Sequence, residues 1–203
     1  MAHRERTKRM LAQKLKEISL KVPLKSITVQ MLASECDINR GTFYYHFRDM
    51  PDLINWIYHI EVTIPTHEFI CSCDADFSGI SKTVLQKIYA SRDFYTQAIR
   101  LDGQNNLSDF MLEETISNWI LLRDQFLTKR GLSFKGLSAP LQEDFNSALM
   151  YFCYGHFFAS QQWMRDGMKT SPEHFACMLD IAAESGIFNL FRELLDSKAP
   201  FTL

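Results

Sequence analysis

With 203 residues, 46% of them apolar, the chain is long enough to bury a substantial core, and its 8 Gly and 6 Pro set it apart from fibrous and disordered sequences. No apolar run approaches the roughly 18 to 20 residues that cross a bilayer, and MAHRERTKRM holds no signal-peptide apolar region, so the expected place is the cytoplasm rather than a membrane. The net charge of −2 conceals an asymmetry: residues 1–50 carry ten Lys/Arg against five Asp/Glu, a net +5, which leaves −7 on the remaining 153 residues. A basic head on an acidic body points to a polyanion as the partner of the head, although a solvated basic face has the same composition. Five cysteines, an odd number without disulfide-scaffold density, fit a reducing compartment.

In chain order, Leu11, Leu15 and Ile18 share one helical face, predicting an amphipathic first helix over about 4–20 that Pro23 closes. Thr28 is an N-cap for a second helix, Val29 to Glu35, with Val29, Leu32 and Ala33 on one side. Asp37 breaks that helix in a left-handed turn, and Asn39 caps a short third one. Pro51 suits the first turn of a fourth helix through DLINWIYHIEVTI, ended by Pro65. The segment from about Pro65 to Gly79 has mixed polarity and reads as a connection with at most a short helix. Further helices are predicted at about 80–100, 107–129, 141–166 and 172–196, with Gly103, Gly131, Gly136 and Gly167 in the gaps. No period-2 strand pattern and no hairpin signal is present, so the fold class is all-α.

The last two helices carry long apolar stripes. One holds Phe145, Leu149, Phe152, Cys153, His156, Ala159, Ser160, Trp163 and Met164; the other, capped by Ser171 with Pro172 in its first turn, holds Phe175, Met178, Leu179, Ala182, Ala183, Leu190, Phe191 and Leu194. Ala182, Ala183 and Gly186 are small enough for another helix to approach closely. The pair either buries itself within a monomer or supplies half of an intermolecular four-helix bundle. Phe152, His156, Trp163, Phe175, Leu179, Ala182, Ala183 and Leu190 are the expected dimer-interface residues.

Two short helices joined by a tight turn at 28–46 make a helix-turn-helix, whose second helix enters the major groove in proteins built this way. Ile38, Phe43, Phe47, Val29 and Leu32 can close the small core between the helices. Gly41 permits close approach to DNA or to the neighbouring helix. Arg40 suits guanine or phosphate, Thr42 a base edge, and Tyr44, Tyr45, His46 and Arg48 suit phosphate oxygens. Thr28 sits at a helix N-terminus, which favours a phosphate.

The stretch TVQMLASECDINRGTFYYHFRDMPDLI resembles the DNA-binding signature of TetR-family transcriptional regulators, over residues 5–62 in order and spacing. The resemblance implies base contacts from Asn39, Arg40, Thr42 and Tyr44, and phosphate contacts from Thr28, Tyr44, Tyr45, His46 and Arg48. It also implies a dimer bundle built from the last two helices. Two positions depart from the pattern: Asp37 stands where glycine is usual, and Met50 where a basic residue commonly touches phosphate. A narrower likeness, in DLINWIYHIE and YGHFFASQQWMRDGMKTSPE, is to the activators of dihydroxyacetone-kinase operons, which are controlled by a kinase-like protein partner.

The expected organisation is a helix-turn-helix domain at 1–50, a connecting helix at 51–64 and a sensing and dimerisation domain at 65–203. The expected function is a dimeric repressor on a palindromic double-stranded DNA operator, released by a small-molecule effector or a protein partner. An activator controlled by a protein partner is the alternative. Cys71 and Cys73, with His67 nearby, invite a redox or metal-sensor reading, but no second Cys/His pair accompanies them, so they read as ordinary thiols and no metal or cofactor is expected. Trp119, Phe126, Tyr151, Phe94 and Tyr89 either line a cavity or form plain core, and their spacing does not name ligand residues. No nucleophile elbow, P-loop, dinucleotide fingerprint or metalloprotease motif is present, so the chain is not expected to be an enzyme.

Overall fold

The computed structural model describes residues 2–72 and 77–196. Among them are eleven α-helices and no strand, in agreement with the predicted all-α class: α1 (Ala2–Ser19), α2 (Val29–Glu35), α3 (Arg40–His46), α4 (Met50–Tyr58), α5 (Ile64–Ser72), α6 (Phe77–Tyr89), α7 (Arg92–Ala98), α8 (Leu107–Thr128), α9 (Ala139–Arg165), α10 (Pro172–Ala183) and α11 (Asn189–Asp196). Two compact units result, one from Met1–Pro65, Lys87–Phe110 and Gln161–Lys169, the other from Thr66–Gln86, Met111–Ser160 and Thr170–Leu203.

The first unit is built around α1 to α4. Leu11, Leu15, Leu24, Ile27, Leu32, Phe43, Phe47, Leu53 and Ile57 are buried there, together with Phe94, Tyr95 and Ala98 of α7. The second unit packs Trp119, Leu122, Phe126, Phe145, Leu149, Cys153, Ile187 and Phe191 into one cluster, with the Phe145 and Phe191 rings stacked 4.5 Å apart. Stacked and edge-on rings of this kind add packing beyond the apolar area they remove from water.

Three helical expectations need correction. Pro65 does not end the fourth helix: a π-helical turn, His59–Thr63, leads into α5, and the Ile64 N–H donates to the His59 carbonyl five residues back. A proline inside a helix drives its ring against the carbonyl four residues earlier, and a widened turn just ahead of it relieves that clash. The supposed connection after Pro65 is accordingly helical through Ser72 and again from Phe77. The predicted 80–100 helix is two helices, because Ala90 and Ser91 form a turn and the Ser91 carbonyl restarts the coil by accepting from the Phe94 and Tyr95 N–H groups at 3.1 and 3.0 Å.

The 172–196 helix is helical throughout but passes through a π turn at Glu184–Phe188. Gly186 lies in that turn, directly under the Phe152 ring of α9, where any Cβ would collide with the ring. The close approach anticipated from the small residues is therefore made by a helix of the same chain.

Candidate nucleic-acid interface

The first candidate site lies in the first unit. Thr28 caps α2, its Oγ1 accepting from the Met31 N–H at 3.2 Å. Between α2 and α3 the Ile38 N–H donates to the Ala33 carbonyl at 3.0 Å and the Asp37 N–H to the Ser34 carbonyl at 3.2 Å. This pair of bonds is a Schellman closure. It requires a left-handed residue just past the helix, and Asp37 takes that place at φ 53°. Asn39 then caps α3, its Oδ1 accepting from the Thr42 N–H at 2.8 Å and from the Thr42 hydroxyl at 3.2 Å.

Phe43 and Phe47 fix α3 from beneath, with ring centroids 5.9 Å apart, and Trp56 of α4 meets Phe47 at 5.7 Å. Leu32 and Ala33 are buried with them, while Val29 and Ile38 are half-buried. Phe43 and Phe47, four residues apart, anchor the same face, which leaves the other outward. Thr28, Asn39, Arg40, Gly41, Tyr44, Tyr45 and Arg48 are exposed, and Thr42 and His46 half-buried. At Gly41 an added Cβ would meet, among the described residues, the Asn39 cap oxygen at 3.1 Å.

Several of these groups already have partners. Arg40 Nη2 donates to the Tyr44 hydroxyl at 3.3 Å and the guanidinium lies 5.8 Å from that ring's centroid. Arg48 donates its N–H to Asp52 Oδ2 at 2.9 Å and pairs with Oδ1 at 3.4 Å. His46 meets the Tyr45 ring edge-on at 5.0 Å. Met50, which lacks the expected positive charge, opens α4 and is half-buried.

Two cations escaped residue-by-residue reading of the sequence. Arg4 lies 5.5 Å from the centroid of Tyr45, and Lys8 lies 4.9 Å from Phe47 and 5.3 Å from Trp56. Their only signal was the basic run at the N-terminus, which says nothing of where α1 meets α3.

A second candidate surface lies in the second unit. Tyr151, Tyr154 and Phe158 of α9 and Met178 and Ile181 of α10 are exposed apolar side chains; the three from α9 border an open groove of about 540 Å³ lined also by Trp119, Phe152, Leu179 and Ala182. The residues expected at a dimer interface are divided. Ala182 is exposed; Phe152, His156, Phe175 and Leu190 are half-buried; Leu179 and Ala183 are buried. Trp163 requires correction, because it lies in the core of the first unit with its ring stacked on Tyr89 at 6.3 Å. One apolar stripe on α9 feeds the chain's own core, through Phe145, Leu149, Cys153 and Phe157, while a neighbouring stripe faces outward.

His156 meets Trp119 edge-on at 5.7 Å, and burial pushes its imidazole down to about 4, so it is neutral at pH 7. Burial likewise pushes the Cys153 thiol up to about 11, which keeps it protonated and unreactive. Cys71 is exposed, and Cys73 lies outside the described residues. Among the described residues no group of three or more His, Cys, Asp or Glu is placed to hold a metal ion, and no helix is long and apolar enough to cross a membrane.

An exposed, capped recognition helix carrying Arg40, Tyr44 and Tyr45 beside a basic first helix defines a helix-turn-helix DNA-binding protein. Residues 21–56 match the bacterial regulatory proteins of the tetR family, and residues 76–185, more than half of the chain, match the transcriptional regulator C-terminal region of that family. The chain belongs to the TetR family of transcriptional regulators. No curated protein matches it. Among solved structures its fold is similar to that of the dihydroxyacetone kinase operon activator DhaS, with a TM-score of 0.61 and 16% identity over 95% of this chain and 98% of that one. It is also similar to NalD of Pseudomonas aeruginosa, the secondary repressor of the MexAB-OprM multidrug efflux pump, with a TM-score of 0.55 and 18% identity over 93% and 96%. At these identities the likeness is one of fold.

Proposed function

We propose that the protein acts as a homodimer that binds a palindromic operator through Asn39, Arg40, Thr42 and Tyr44 at base edges and Thr28, Tyr44, Tyr45, His46 and Arg48 at phosphates. Repression by occlusion of a promoter is the primary reading. The observation that carries the DNA reading is the separation of faces on α3, with Phe43 at 0% exposure beneath and Tyr44 and Tyr45 at 49% and 70% above. The outward apolar stripe of α9 and α10 supports the dimer, since exposed side chains of this kind in contiguous array mark an interface. An effector that prefers a dimer with differently spaced heads would release DNA, and operator would reciprocally weaken that effector.

Selection of bound sequences from a random DNA pool tests this reading. The expected product is an enriched palindrome with half-sites about one helical turn or a multiple of it apart. A pool without paired half-sites would remove the dimeric operator.

Activation under the control of a protein partner is the second reading, favoured by the fold likeness to DhaS together with the DLINWIYHIE and YGHFFASQQWMRDGMKTSPE stretches. In vitro transcription from a promoter carrying the selected site decides between them: added protein lowers transcript for a repressor and raises it for an activator.

A further inference from the structure

Helix α7 holds the main chain of the helix-turn-helix head through a single amide. Gln97 Oε1 accepts from the Leu24 N–H at 2.8 Å, and Nε2 donates to the Ser19 carbonyl at 2.9 Å and to the Asp93 carbonyl of its own helix at 3.1 Å. The groups it engages are those that helix ends leave over. Ser19 is the last residue of α1, where carbonyls lack an intrahelical donor, and Leu24 opens the 3-10 turn Leu24–Ser26 after Pro23. Leu24 and Ser19 are both buried, so leaving either group unmatched carries the full cost of desolvating it.

A second clamp on α7 lies half a turn away. The Tyr95 hydroxyl donates to Glu61 Oε2 at 3.0 Å, while Glu61 Oε1 holds the Lys16 ammonium at 2.7 Å. Lys16 and Ser19 are one turn apart on α1. The end of α1 is therefore gripped at two points, and the segment it leads into, 20–27, delivers the chain to Thr28, the cap of α2. Any tilt of that segment is passed through the Schellman closure to α3. Hydrophobic packing resists separation of helices but permits small sliding, whereas an amide bonded at both its ends to main chain specifies one register.

We propose that Gln97 is a positioning residue for operator binding: it fixes the pose of the α2–α3 pair, so that two heads of a dimer accept half-sites at one spacing only. The proposal rests on the dimeric operator reading above. Gln97→Met keeps the length of the side chain and removes both polar ends. Gln97→Glu keeps an acceptor for the Leu24 N–H and removes the donor to Ser19.

The test measures affinity of the full chain for its selected operator and for the same operator with one base pair inserted between half-sites, a change of about 3.4 Å and 34–36°. Expected for Gln97→Met is a roughly tenfold loss at the original spacing and a smaller insertion penalty than the parent shows, with base preference inside each half-site unchanged. Gln97→Glu, which sets a carboxylate oxygen against the Ser19 and Asp93 carbonyls, should likewise reduce the insertion penalty. An insertion penalty in both variants equal to the parent's, with helicity retained, would overturn the proposal, as would loss of base preference together with spacing. If Gln97→Met does not fold, Gln97→Glu decides by the same comparison. A parent that selects no paired half-sites removes the dimeric reading itself, an outcome visible before any variant is made.

Discussion

The N-cap at Asn39 occupies only the oxygen of its amide. The cap uses Oδ1, which receives the Thr42 N–H and hydroxyl, and the amide hydrogens remain donors for a base edge. Arg40 is held by the Tyr44 hydroxyl and ring, which would reduce the side-chain entropy lost in the proposed contact with DNA. Arg48 shares an exposed ion pair with Asp52, and such pairs contribute little in water, so exchange of Asp52 for a phosphate is inexpensive. Arg40→Ala is expected to cost about 1–3 kcal/mol and to relax preference at the position it reads, while His46→Ala weakens all sites alike. Titration of single-base operator variants at fixed salt distinguishes them; parental binding by both variants would refute the contact assignment. The caps Thr28 and Asn39 and the buried Phe43 and Phe47 were legible because helix caps and aromatic anchors follow local rules. Arg4 was not, because its proximity to Tyr45 depends on how α1 lies across α3.

At the scale of the element, the α2–α3 turn shows a local rule met by an imperfect residue. A left-handed backbone costs an L-residue roughly 1–2 kcal/mol, least for Asn and Asp. Asp37 adopts it at φ 53°, so Asp37→Gly should raise the stability of the chain by about 0.5 kcal/mol, the relief being partly offset by the greater freedom of glycine when unfolded. Urea denaturation measures this, and a fall in stability would show that the Asp37 side chain contributes more than its backbone strain removes. The elements that sequence placed well are those with chemical end signals: Thr28, Asn39, Ser171 and Gly131, the last at φ 71° where α8 closes. Pro65 misled because its disruption is absorbed by a π turn, and π turns have no residue signature. The break at Ala90–Ser91 was missed because helical periodicity continues across it: Ile88, Phe94, Tyr95 and Ala98 all enter a core.

For the whole molecule, the outward stripe of the second unit is the feature with the largest consequence. Phe158 and Ile181 are 58% and 61% exposed, and neither has a role in the chain's own core. Phe158→Glu and Ile181→Glu should each leave helicity intact and shift the protein from dimer to monomer, with operator affinity falling at least tenfold because a lone head loses its partner's half-site. Sedimentation and operator titration read these effects; a double variant that remains dimeric would exclude this face. Sequence periodicity marked α9 as apolar on a wide arc and placed Trp163 on its outward side, whereas the ring lies in the chain's own core, since a stripe does not say which flank is already covered.

By itself the sequence determined the all-helical class, the helix-turn-helix with its caps and anchors, and the family, because these rest on contacts within a few residues along the chain. Tertiary structure alone decided that Lys87–Phe110 and Gln161–Lys169 join residues 1–65 in one unit, that Gln97 reaches Ser19 and Leu24, and which stripe of α9 stays outside. Those facts depend on pairings between residues tens of positions apart, and a helical period records that a face must be buried without recording against what.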